Sequence, residues 1–100
     1  MVNIPGISNS GSSATITKIT ISVDRKFAHY LFWERQEFGF IAEDVGEIKV
    51  LMHFECEVHP TSFVRWFMKF SDFSEIMEPA CLQVELAEII LAAAAKINFL

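Results

Sequence analysis

Residues 47–58 read Glu-Ile-Lys-Val-Leu-Met-His-Phe-Glu-Cys-Glu-Val, and the fold is read outward from them. Ile48, Val50, Met52, Phe54, Cys56 and Val58 share one face; Glu47, Lys49, Leu51, His53, Glu55 and Glu57 share the other. Successive side chains of a strand point to opposite sides, so this alternation marks a β-strand with one buried and one open face. His59-Pro60 ends it, because proline has no N–H to give to the ladder. A strand with a buried face needs neighbours, and the flanking residues supply candidates.

Upstream, Asp44-Val45-Gly46 reads as a tight reversal in which Gly46 takes a positive φ. Before it, residues 37–43 alternate, with Phe38, Phe40 and Ala42 set against Glu37, Gly39 and Ile41, and predict a second strand. Earlier still, Ile19, Ile21 and Val23 alternate with Lys18, Thr20 and Ser22 in a β-branched strand. Asp24 follows at an N-cap position and opens a helix over 25–33 that carries Phe27, Tyr30 and Leu31 inward.

Downstream, Thr61 or Ser62 caps a helix over 62–70. Its inward stripe is Phe63, Phe67 and Phe70, or alternatively Val64, Phe67 and Met68. A loop leads to a short strand over 75–78, closed by Pro79. The last helix, 80–96, buries Leu82, Leu86, Ile89 or Ile90, and Ala93. Val84, Leu91 and Ala95 form a second stripe on it, and a helix apolar on two sides touches two things.

The element order β-α-β-β-α-β-α predicts an α+β domain. The expected architecture is a ferredoxin-like βαββαβ sandwich: four antiparallel strands in spatial order 4-1-3-2, two helices on one face, and an additional C-terminal helix. Residues 1–13, rich in Ser, Gly and Asn, read as a flexible leader or linker, and 14–100 as one domain. One hundred residues hold one core without staples.

Apolar residues make up 52% of the chain and include ten Phe and two Trp, bulk that must be buried or presented to a partner. The net charge of −5 argues against duplex DNA, since phosphate affinity comes from clustered Lys and Arg. Of the eight basic residues only Arg25-Lys26 are adjacent. Cys56 and Cys81 fit neither a disulfide framework nor a metal-binding pattern and read as reduced and buried. Residues 84–100 carry Glu85, Glu88 and Lys96 and are too short and charged to span a bilayer. With no charged segment leading into an apolar run at the start, a cytoplasmic protein without membrane contact is expected.

No catalytic constellation emerges. His29, His53 and His59 are far apart, so neither a metal nor another cofactor is expected. Cys56 faces the core and His53 faces away, which excludes a Cys–His nucleophile on a straight strand. No glycine opens a helix as a phosphate loop requires. Glu47, Glu55 and Glu57 read as a solvated strand face. Trp33, Ile41, Leu51 and Trp66 stay open between lone surface hydrophobes and an interface. Together with Arg35 and Arg65 they are the candidate interface or effector contacts.

The second half carries a resemblance. Phe63-Val64-Arg65-Trp66-Phe67-Met68-Lys69-Phe70 is followed by Glu75-Ile76-Met77-Glu78-Pro79 and by a helix containing Leu82 and Glu85-Leu86-Ala87-Glu88. This succession resembles the C-terminal extension (WCX) domain of WYL-type bacterial transcriptional regulators, over about residues 15–97. Where that family often has a His-x-Ser-Gln-like segment, this chain has Glu34-Arg35-Gln36-Glu37. The resemblance implies a non-enzymatic accessory module that assists dimerisation and effector response. It implies an excised piece beside a DNA-binding and a WYL domain, with a small-molecule or nucleic-acid effector. The apolar composition, the doubly striped last helix and the outward Leu51 and Ile41 predict in addition a homodimer, through the open sheet face or that helix. The alternative is a free-standing ACT-like small-ligand-sensing domain, which shares the βαββαβ layout. Against it, Asp24-Arg25-Lys26 lacks the glycine that lets a backbone approach a bound amino acid.

Overall fold

A computed structural model describes residues 16–97. The leader expected over 1–13 lies outside them. The alternating stretches become strands β1 (Thr17–Asp24), β2 (Phe40–Val45), β3 (Lys49–Cys56) and β4 (Ser74–Glu78) of a single antiparallel sheet. Two α-helices, α1 (Pro60–Phe67) and α2 (Ala80–Ile97), and three 3₁₀ turns complete the described chain. The spatial order is β2-β3-β1-β4. Strand β1 lies beside β3 along its whole length, from Thr17 opposite Cys56 to Asp24 opposite Lys49.

The alternation of the long strand sorts its side chains as expected in the middle and not at the ends. Val50, Met52, Phe54 and Cys56 are buried, while Ile48 and Val58 lie beyond the paired segment and are exposed. Opposite them Ile19, Ile21 and Val23 of β1 and Ile76 of β4 complete the sheet's inner face. Phe63, Val64, Trp66 and Phe67 of α1, Phe70 after it and Leu82 of α2 cover that face.

The first crossover is a 3₁₀ turn over Arg25–Leu31, where an α-helix was expected. Asp24 caps it as anticipated, accepting from the Lys26 N–H at 3.0 Å. The inward residues are Ala28 and Leu31, three apart as a three-per-turn helix requires, so Phe27 and Tyr30 face outward. Phe, His and Tyr are mediocre α-helix formers, and this segment holds all three types.

Residues 35–38 form a second 3₁₀ turn, which takes Glu37 and Phe38 out of the strand expected over 37–43. It ends at Gly39, whose φ of 84° is the left-handed value that had been expected at Gly46. Strand β2 therefore begins at Phe40, and its register against β3 shifts between Phe40 and Ala42. This bulge puts Phe40 opposite Phe54 but Ala42 opposite His53, so the two do not share a face. Gly46 is needed for closeness instead: its N–H donates to the Lys49 carbonyl at 2.8 Å, and a Cβ there would lie 2.9 Å from that oxygen.

Helix α1 starts two residues before the expected position, because Pro60 occupies its first turn. The cap is His59, whose Nδ1 accepts from the Thr61 N–H at 3.1 Å. The Thr61 hydroxyl donates instead to Glu85, joining the start of α1 to α2. On α2 only Leu82 is fully buried; Leu86 and Ile89 pack partly, whereas Ile90 and Ala93 are exposed. Among the described residues no helix is long and apolar enough to cross a membrane.

Candidate functional site

The six residues singled out from the sequence do not form one surface. Arg35 is buried, 9% exposed, and serves the fold. Its guanidinium lies 3.7 Å from the Phe40 ring centroid and 4.3 Å from that of Phe32, and its Nη1 donates to Glu43 Oε1 at 2.8 Å. A planar, weakly hydrated cation tolerates such a sandwich between rings. An effector cannot reach it without displacing Phe32 or Phe40.

Trp66 is also buried, 7% exposed, because α1 turns its Trp66 edge as well as its Phe edge inward. Its indole stacks on Phe38 at 4.6 Å, and Nε1–H donates to Glu34 Oε1 at 2.8 Å. Lys69 Nζ donates to the same oxygen at 2.9 Å. These two donors hold the Glu34 carboxyl below the usual carboxylate range, Lys69 contributing most. Trp33, one position before Glu34, is 90% exposed.

Trp33 and Glu34 line a notch of about 360 Å³ with Tyr30, Lys69, Phe70 and Phe73. The 3₁₀ geometry of 25–31 builds it, by turning Tyr30 outward. Phe73 sits 6.2 Å from Tyr30 and 6.0 Å from Phe70, ring to ring, so the notch wall is continuous aromatic surface.

Ile41 and Leu51 lie on the opposite side of the sheet. Ile41, exposed at the bulge, lines a shallow groove with Lys18, Thr20, His53, Glu55 and Glu78. Leu51 is half-buried, opposite Ser22 and Asp44. Arg65 is exposed on α1.

The open face also holds a chain of polar contacts that spacing along the sequence does not reveal. His53 Nε2 donates to Asp44 Oδ2 at 2.8 Å; a carboxylate only accepts, so that nitrogen carries the proton. Nδ1 lies within hydrogen-bonding distance of the Thr20 hydroxyl, at 3.1 Å. Register is the signal that finds it, since Thr20 lies directly opposite His53. Asp44 is largely exposed. The chain of contacts joins side chains of three neighbouring strands.

Cys56 is buried with the core on the face opposite His53. Burial pushes its thiol pKa up. Cys81, expected to be buried, is exposed at the start of α2. Among the described residues no three of His, Cys, Asp and Glu converge to hold a metal ion. Comparison of the chain with protein-family models, with curated proteins and with solved structures gave no match in any of the three.

Proposed function

We propose that this domain is a non-enzymatic association module of ferredoxin-like type, which pairs with a second copy of itself through α2. The sheet order supports the ferredoxin-like reading, being 4-1-3-2 when taken from the β4 edge. The observation that carries the association reading is the second half of α2. Residues 90–97 are exposed throughout and include Ile90, Leu91 and Ile97, with Leu91 69% exposed. Among the described residues nothing covers this apolar helix end, which is the ordinary signature of an interface.

The charges on α2 suit a second copy. In an antiparallel pair centred near Ala92, Glu88 of one copy lies beside the partner's Lys96, while Leu91 and Ala95 of both meet. The alanine run 92–95 lets the two backbones approach closely.

The resemblance of residues 15–97 to the C-terminal extension of WYL-type regulators supplies the setting: a cytoplasmic accessory domain that assists dimerisation and effector response. Scattered basic residues within a net charge of −5 support a module that leaves duplex DNA to other parts of the regulator. Sedimentation velocity over a concentration series tests the association. The weight-average mass should climb from monomer toward dimer, and Leu91→Glu should hold it at monomer with unchanged far-ultraviolet circular dichroism. A wild-type monomer at high micromolar concentration would contradict the proposal.

A further inference from the structure

We propose that the notch between Tyr30, Trp33, Phe70 and Phe73 binds a quaternary ammonium head group, with Glu34 as its counter-ion. Ring faces carry negative quadrupole charge and attract cations, most strongly those that are weakly hydrated. Tyr30, Phe70 and Phe73 present a continuous aromatic wall, and Trp33, largely exposed, stands at the rim. A single carboxylate, Glu34, faces the same space.

The chain itself shows that a cation is accommodated. Lys69 Nζ lies 2.9 Å from Glu34 Oε1 and 5.5 Å from the Phe70 ring centroid, where an ammonium ligand would sit. Lys69 is more than half exposed, and an exposed ion pair of this kind contributes little, so exchanging it for a ligand loses little. A quaternary head group brings the same charge, spreads it over methyl groups that bury against the rings, and leaves no N–H unpaired. At about 360 Å³ the notch has room for such a head group and the first atoms of its substituent.

This reading implies an unusual sign: removing Lys69 should improve binding, because it removes the internal competitor. The experiment is a titration of the full chain with choline, followed by the two indole N–H signals in a proton–nitrogen correlation spectrum. Both should move saturably, Trp33 because it lines the notch and Trp66 because it donates to Glu34. The neutral isostere 3,3-dimethylbutan-1-ol should move neither. Lys69→Ala should tighten choline binding several-fold, while Tyr30→Ala and Glu34→Gln should weaken it several-fold. A parallel titration with trimethyllysine separates the sources, the tighter ligand naming a free small molecule or a modified side chain. Equal shifts from choline and its neutral isostere, or weaker choline binding by a folded Lys69→Ala variant, would overturn the proposal.

Discussion

At Gly39 the backbone leaves no room for a side chain. Its φ is 84°, and a Cβ there would lie 2.0 Å from the Glu55 carbonyl oxygen, a backbone atom that cannot turn aside. The Glu55 N–H meanwhile donates to the Gly39 carbonyl at 2.8 Å, so the close approach is part of the sheet edge. Gly39→Ala should therefore cost more than about 2 kcal/mol, combining left-handed strain with a backbone clash. Urea unfolding of the variant measures it, and a loss near zero would mean the bulge can be rebuilt. The two thiols offer a second test at this scale. Cys81 is exposed, whereas Cys56 is buried and its thiol is held protonated by desolvation. A disulfide reagent at neutral pH should consume one thiol quickly in the native protein and both in denaturant.

At the scale of the elements, the junction of the 3₁₀ segment with the end of α1 rests on Glu34. Its folded pKa lies below the ordinary value of 4.5, because the ionised form accepts from Lys69 and Trp66. The sign follows from linkage: the contribution is present above the ordinary carboxylate value and fades as pH falls through the depressed folded value. Glu34→Gln keeps an acceptor for Trp66 but removes the charge. Wild type should thus be the more stable at neutral pH and lose that advantage in acid, which denaturant midpoints at the two pH values will show. This junction was not legible in the sequence, since Glu34 is 35 residues from Lys69 and only the tertiary fold brings them together. The β3 strand was legible because six apolar residues keep a period of two. The first crossover was misread for a local reason. Phe27, Tyr30 and Leu31 sit at helical spacing, yet packing selects Ala28 and Leu31 at spacing three. Of the candidate residues, periodicity could separate inner from outer faces on β3. It could not see that the bulge at Ile41 or the cation–ring sandwich of Arg35 would decide those positions.

For the molecule as a whole, the distribution of apolar surface gives the association reading its reason. The core is closed by Phe54, Phe63 and Phe67, each almost fully buried, so the exposed half of α2 is not needed to complete it. Beyond Ile89 the helix continues with apolar residues that touch little of the other described residues, and on the association reading a second copy would supply that contact. Association through α2 also leaves the aromatic notch free, because that notch is built from residues 30–34 and 69–73. The most direct measurement is an isotope-filtered nuclear Overhauser experiment on an equal mixture of carbon-13-labelled and unlabelled protein. The association account expects intermolecular signals joining the methyl groups of Leu91 and Ala95 across two copies. Intermolecular signals confined to Ile41 and Leu51, or none at concentrations well above the sedimentation range, would contradict it.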